Sequence, residues 1–404
     1  MHSAYVYSYP HKLAYGPLDP PVELAPLWQR EPRQQLFLYW HIPFCEMRCG
    51  FCNLFTSIER KAEPMAEYLQ ALRRQANQLA TIVSPCQVSG LAIGGGTPTQ
   101  LPSDQLESLL DGILQWPRQL GGDFSVESSP ATATPEKLFL LRQAGVTRLS
   151  LGVQSFVEAE VQAVHRRQRN SLVNQALSNI RGQGFEVVNI DLMVGLPGQT
   201  VSSLRRSLQS ALDWQPEELY LYPLYVRPLT RLYGEHNGCD DGDLYRSGRD
   251  FLQEHGYEQV SLRMFRRRGG PGGCEYADPQ RPMLGLGCGA RSYTRELHYS
   301  TPYAVGSSGV RRILRAYKDT QDFGQAHFGY RLDEEERRRR IAVLSLLSEQ
   351  GLDISAFPEF LSLLQPGEAE GGRLTSLGLE RADQIGPRFF SARVQQAVLA
   401  GARE

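Results

Sequence analysis

Tyr39-Trp-His-Ile-Pro-Phe-Cys45-Glu-Met-Arg-Cys49-Gly-Phe-Cys52 is the stretch on which the fold of this chain turns. Three cysteines are separated by three and two intervening residues, just beyond Leu36–Trp40, an apolar run of strand type. Pro43 and Gly50 belong to turns, so the thiols sit on a loop that leaves a strand. Such a loop can wrap one four-iron cubane and reach three of its irons, leaving the fourth without a protein ligand. An open metal corner marks a site that binds or transforms something, by the logic that separates open from closed zinc sites. The plainer alternative is a structural zinc completed by His41, but zinc ribbons and knuckles use a second, distant cysteine pair that this sequence lacks.

Outward from the loop, short apolar runs (Leu36–Trp40, Val88–Ile93, Phe124–Val126, Arg148–Val153, Val187–Met193, Glu218–Tyr222) alternate with stretches of helical period (Pro64–Ile82, Asp104–Leu114, Pro135–Gln143, Ser171–Gln183, Val201–Leu212). Runs that are apolar almost throughout suit strands buried on both faces and paired in parallel through right-handed crossovers. About six units are present, fewer than the eight that close a full barrel. An α/β fold follows, an incomplete, laterally open (βα)6 barrel over 36–225 whose chemistry belongs at the C-terminal ends of its strands. Cys45 to Cys52, Gly94 to Pro98, Glu127, Gln154 and Asp191 all fall at or just beyond those ends.

The flanks read differently. Residues 1–35, rich in Tyr and Pro, suit an extended arm better than a helix or strand. Over 226–330 the regularity fades into a barrel extension and a segment that closes the site, with Arg266–Gly273 a flexible loop on composition. Residues 331–404 read as a small helical, winged-helix-like module: Leu332–Gln350 is a helix opened by the acids Asp333–Glu336, and a shorter helix follows near Ser355–Leu364.

Composition sets limits. The 404 residues are 41% hydrophobic, and 43 Lys+Arg against 44 Asp+Glu leave a formal charge of −1, so no global field draws the protein to nucleic acid or anionic lipid. Arg337–Arg340 follows Asp333–Glu336 at helical spacing, so i,i+4 pairing accounts for that basic run. No apolar run has the ~20 residues of a membrane span, and Met1–Pro10 lacks the regions of a secretory signal. Seven cysteines, three of them clustered, argue for metal ligation in a reducing compartment, and the expected location is cytoplasmic.

With these landmarks in place, the chain resembles the radical S-adenosylmethionine superfamily, and within it the branch of anaerobic coproporphyrinogen III oxidase and the related haem chaperone. The resemblance implies that Cys45, Cys49 and Cys52 hold a [4Fe–4S] cluster whose open iron takes S-adenosylmethionine, cleaved by one electron to methionine and a 5′-deoxyadenosyl radical. It implies cofactor contacts from Tyr39, Phe51, Gly95, Gly96 and Thr97 of the glycine motif Gly94-Gly-Gly-Thr-Pro98, Glu127, Gln154, Arg166 and Asp191. It further implies a small-molecule substrate, with a tetrapyrrole as the candidate, and an electron donor such as flavodoxin or ferredoxin. Arg263, Arg266, Arg267, Arg268, Arg291 and Arg295 could bind the carboxylates of such a substrate, although solvated charge explains most loop arginines. Gly285–Tyr293 resembles a glycine-rich segment that closes the active site, and Cys288 within it reads as an inert small residue.

Two departures separate the chain from the oxidase: Leu54 stands where the oxidase usually has a fourth cysteine, and Arg291 where it tends to have an apolar residue. The expectation is therefore a radical enzyme that abstracts hydrogen, and the alternative is a haem-binding or haem-delivery protein that keeps the same cluster.

Overall fold

The computed structural model describes residues 8–235, 242–271, 278–349 and 351–401. Tyr5, Tyr7, Cys239, Cys274 and the end of the Arg266–Gly273 run lie outside the described residues.

The chain enters through β1 (Gly16–Glu23) and α1 (Leu24–Gln29), then builds β2 (Leu36–Ile42), α2 (Ala62–Val83), β3 (Val88–Gly95), α3 (Ser103–Leu114), β4 (Arg118–Ser128), α4 (Pro135–Gln143) and β5 (Arg148–Gln154). Two helices, α5 (Glu158–Ala163) and α6 (Asn170–Gln183), lead to β6 (Val187–Val194), α7 (Val201–Leu212) and β7 (Glu218–Pro223). These strands pair in parallel in sequence order from β2 to β7. The helices form where the sequence carries apolar residues at helical spacing: α2 buries Met65, Tyr68, Leu72, Ala76 and Leu79, and Thr200 caps α7 by accepting from Ser203 N–H.

Past the barrel come α8 (Gly242–Glu254), β8 (Tyr257–Gln259), β9 (Met264–Arg267), β10 (Met283–Leu286), β11 (Arg291–Tyr293), β12 (Leu297–Ser300), α9 (Ser307–Asp319) and β13 (Gln325–Arg331). Among the described residues one thirteen-stranded sheet runs β1-β13-β12-β11-β10-β2-β3-β4-β5-β6-β7-β9-β8.

Three expectations are corrected. Met283–Leu286, at the head of the glycine-rich segment where regularity is expected to fade, is a seventh parallel strand beside β2, because β2 supplies a full register of partners from Phe37 to Trp40 that the short local sequence does not advertise. The described residues before Leu36 are not simply an extended arm: β1 pairs antiparallel with β13 at the sheet edge, where prolines cost no inner ladder bond and the register slips between Pro17 and Val22. In α1, Leu24, Leu27 and Trp28 are buried, and the Trp28 indole N–H donates to Tyr299 at 2.9 Å. Arg266 and Arg267, expected in a loop, close β9, which adds antiparallel to β7.

The last segment opens with α10 (Glu334–Leu346), shorter than expected because Asp333 caps it at one end. Pro358–Leu363 is a 3-10 helix rather than an α-helix. The helices α11 (Ser376–Glu380), α12 (Ala382–Ile385) and α13 (Ala392–Gly401) complete it. Its own core, with Val343, Phe360, Ile385 and Phe389, takes in Tyr9 from the N-terminus. Of the four arginines from Arg337, two pair within the helix, Arg337 with Glu334 and Arg339 with Glu335. Arg338 instead reaches Glu359, and Arg340 is buried against the Pro279 carbonyl and the Tyr293 ring.

Candidate active site

The cysteine loop and the glycine motif are stitched to each other at the ends of β2 and β3. Gly96 N–H donates to Ile42 O at 2.8 Å and Thr97 N–H to Phe44 O at 2.7 Å. Glycine is required here by space. A Cβ on Gly96 would lie 2.5 Å from Phe44 O and 2.9 Å from Cys45 Sγ, and Gly95, at φ +113°, leaves room for the His41 ring, 2.5 Å from where its Cβ would stand.

All three thiols are unpaired, and each has a polar neighbour. The Thr97 hydroxyl donates to Cys45 Sγ at 3.8 Å, Arg166 Nη1 to Cys49 Sγ at 3.3 Å, and the Thr56 hydroxyl lies 3.8 Å from Cys52 Sγ. Burial pushes the Cys45 thiol up to about 12, with Cys52 and Cys49 adding to the effect, and burial also raises Cys52. Thiols so placed ionise when they ligate a cation, and donors aimed at the sulfurs then support the thiolates. Three free sulfurs on one loop, each with a polar partner, are the donor set a three-point iron–sulfur ligation needs.

The zinc alternative fails on His41, whose Nδ1 is 3.3 Å from the Tyr39 hydroxyl and whose Nε2 is 3.0 Å from Phe55 O. Burial drops the His41 pKa to about 4, so the ring is a neutral packing element between two glycines, Gly95 and Gly289.

Beside this loop a cavity of about 400 Å³ opens over the strand ends. Tyr39, Gly95, Glu127 and Asp191 line it. Glu127 accepts from Gly95 N–H at 3.0 Å, and its pKa is pushed up to about 7, first by burial and then by the neighbouring Asp191. Asp191 is itself raised by burial, against the hydrogen bonds it accepts from Asn189 Nδ2 (2.7 Å) and the Ser150 hydroxyl (3.2 Å). The buried Asn189 Oδ1 has no hydrogen-bond partner, so an acceptor stands ready for a donor group of a ligand.

Phe51, Gly96, Thr97, Gln154 and Arg166 stand outside the cavity lining with the cysteines. Gln154 sits at φ +71° where the β5–β6 register slips, a backbone strain of the kind held at functional sites. Arg166 reaches Cys49, Gln168 Oε1 (2.9 Å) and the Gly152 carbonyl. Phe51 packs on an apolar cluster with Val164, Met193 and Leu232.

The arginines divide. Arg266 pairs with Glu349, Arg267 with Glu217, and Arg295 lies 3.9 Å from Glu31, so those three are engaged within the fold. Arg263 and Arg291 line the cavity, and Arg263 is held by Asp383 of the C-terminal segment at 2.6 Å. Cys288 is buried, near the Thr301 hydroxyl.

Sequence reasoning missed Lys12, Arg148, Ser150, Asn189, Tyr220 and Tyr222 in the cavity wall. For the strand residues a signal existed: Ser125/Glu127, Arg148/Ser150, Asn189/Asp191 and Glu218/Tyr220 repeat a polar pair at spacing two within apolar strands, which marks one face of the sheet. Arg148 anchors that face through Glu218 (2.8 Å) and the Ser125 hydroxyl (3.0 Å). Lys12 had none; it reaches the cavity from the N-terminal segment, 3.7 Å above the Tyr303 ring, and burial lowers its pKa to about 7.

The Radical SAM superfamily profile matches residues 39–211. The heme chaperone HemW of Bacillus subtilis (strain 168) is 35% identical over 242 residues, 57% of this chain; the chain spans less than two thirds, 63%, of that relative's length. The oxygen-independent coproporphyrinogen III oxidase of Cereibacter sphaeroides is 30% identical over 336 residues, 77% of this chain and 73% of the relative. The structure of coproporphyrinogen III oxidase (HemN) from Escherichia coli, described as a radical SAM enzyme, superposes with a TM-score of 0.80 at 25% identity, covering 95% of this chain and 96% of that one.

Proposed function

Since the chain belongs to the radical SAM superfamily, in the branch of the oxygen-independent coproporphyrinogen III oxidases and heme chaperones, we propose that it is an enzyme that abstracts hydrogen from a carboxylate-bearing tetrapyrrole. Proteins of this superfamily use a [4Fe–4S] cluster and S-adenosylmethionine, and the bound pair supplies the 5′-deoxyadenosyl radical. In this proposal Cys45, Cys49 and Cys52 hold the cluster, while Gly95, Gly96 and Thr97 let the nucleotide approach the main chain. Glu127, Asp191 and Asn189 face it as acceptors, Gln154 and Arg166 fix the adjoining strand end and loop, and Tyr39 sets the edge of the cavity. Lys12, Arg148, Arg263 and Arg291 give the cavity its cations, which suits a substrate with several carboxylates.

The observation that carries the proposal is the shared cavity: acceptors and cations line one volume beside the cysteine loop. Anaerobically reconstituted protein with dithionite should cleave S-adenosylmethionine, and Cys49→Ala should abolish cleavage along with most of the iron. A fully loaded protein that leaves S-adenosylmethionine intact would refute it.

Leu54 in the cavity wall favours a second reading, delivery of haem, because it replaces the cysteine the oxidase usually carries. Against that reading, His41 has both ring nitrogens engaged and offers haem iron no axial ligand. Haem titration separates the two: a Soret shift at micromolar haem supports delivery, and none removes it.

A further inference from the structure

The wall between the cysteine loop and solvent has two sides. Leu54 and Phe55 face the substrate cavity, whereas Thr56, Ser57 and Ile58, the next residues, face a separate groove on the other side, floored by Phe44 and bounded by α9. Phe44 directly precedes Cys45, and the Thr56 hydroxyl touches Cys52 Sγ, so the groove comes within one side chain of two of the thiols.

Its rim is basic. Arg311 and Arg315, four apart on α9, line the groove with Arg48, and Arg312 adjoins them. The three α9 arginines are exposed and form no ion pair with a described residue. Lys318, which also borders the groove, is matched by Glu67, and the Glu59 carboxylate is turned to the N–H groups of Arg60 and Lys61. Among the residues lining it, Ile58 is 53% exposed, so the groove offers an apolar contact alongside its charges, as transient protein interfaces do. A chain whose net charge is −1 has thus gathered unpaired cations beside its cysteine loop.

We propose that this groove docks an acidic protein that carries single electrons, a reading that rests on the cluster assignment above. Cys45, Cys49 and Cys52 would hold the iron–sulfur group, and a reduced carrier docked in the groove would supply it one electron and be oxidised in turn, with no atom moving. Entry through Phe44 and Thr56 keeps the carrier out of the substrate cavity, so the electron donor and the substrate bind at once. The attraction is between exposed charges and therefore falls with salt.

The test measures binding of a labelled acidic flavodoxin, and separately an acidic [2Fe–2S] ferredoxin, to the full chain by fluorescence anisotropy, which needs no turnover. Wild type should lose affinity steeply as salt rises, and the double variant Arg311→Glu/Arg315→Glu should bind at least about tenfold more weakly at low salt. Arg206→Glu, an exposed reversal on α7, should bind as wild type. Cleavage of S-adenosylmethionine driven by dithionite should be equal in wild type and double variant, while cleavage driven by reduced flavodoxin falls. Unchanged carrier binding in the double variant with intact dithionite-driven cleavage overturns the docking surface alone; no dithionite-driven cleavage in loaded wild type overturns the cluster reading beneath it. Capture of a polyuridine RNA by the groove in preference to either carrier would also overturn the proposal.

Discussion

Glu127→Gln is the substitution that most directly tests how the cavity treats its ligand. The Glu127 carboxyl is pushed from an ordinary 4.5 up to about 7 because it is buried beside Asp191. The gap corresponds to about 3 kcal/mol of preference for the neutral form, a ceiling that water in the cavity reduces. The sign follows. A raised carboxyl favours the fold below the ordinary value, and that contribution is lost as pH rises through about 7. Binding runs the other way, since a neutral carboxyl cannot accept as a carboxylate does. With a pKa near 7 the ionised fraction climbs from about 3% at pH ~5.5 to about 90% at pH ~8. If the carboxylate is the form that accepts from S-adenosylmethionine, its Kd for reconstituted wild type should fall about thirtyfold over that interval. Glutamine has no charge to gain, so the ratio of variant to wild-type Kd should grow with pH, which cancels titration of the nucleotide's own amine. The measurement is equilibrium dialysis under nitrogen. A wild-type Kd flat across the interval, or a slope that Glu127→Gln shares in full, would refute the argument.

Three further outcomes are expected. Gly96→Ala places a methyl 2.5 Å from Phe44 O and 2.9 Å from Cys45 Sγ, so reconstituted protein should hold clearly less iron per chain than wild type; equal iron would show that the loop can give. Arg263→Leu takes the cation from the buried Asp383 carboxylate and leaves it the Tyr225 hydroxyl, a loss on the order of 3–5 kcal/mol that should lower the melting temperature by several degrees, and Arg263→Leu/Asp383→Leu should recover most of it. Differential scanning fluorimetry reads both variants. Glu160→Ala removes the carboxylate that the Ser155 and Ser203 hydroxyls and Gln199 converge on, and should destabilise the β5–α5 junction and the start of α7 by about 2 kcal/mol, seen as faster amide hydrogen exchange there.

The barrel was legible because each of its strands is a short apolar run between helices of clear period, and because loops follow strands at the end where parallel sheets put their sites. The cysteine spacing was legible for a different reason: ligation demands a residue type, so Cys45, Cys49 and Cys52 announce themselves without any knowledge of packing. Glu127 and Asp191 were found through their motifs, but Arg148, Ser150 and Asn189 on the same face were not, since a polar residue in a strand is conspicuous only when the alternation is followed across several strands. Met283–Leu286 was lost because a four-residue strand containing glycine owes its conformation to β2 rather than to its own propensity. Lys12 lay beyond reach, its place in the cavity depending on how β1 and the N-terminal segment fold onto the other end of the chain.

The cavity wall itself divides by position in the chain. The superfamily profile covers residues 39–211, which include the three cysteines, the glycine motif, Glu127, Gln154, Arg166 and Asp191. A second set of lining residues lies outside that span: Lys12 before it, and Arg263, Arg291, Leu344, Leu347 and Asp383 after it. In the proposed function, radical generation belongs to the shared segment and choice of substrate to the flanks. Within the later flank, Arg263 ties the cavity wall to the C-terminal segment through Asp383, a contact between residues 120 apart. Arg263→Lys/Asp383→Glu, which keeps the charges but breaks the planar fork, should therefore alter selectivity among carboxylated tetrapyrroles while leaving dithionite-driven cleavage of S-adenosylmethionine without substrate unchanged. Equal loss of both would mean that the flanks also shape the nucleotide's pocket, and the separation would fall.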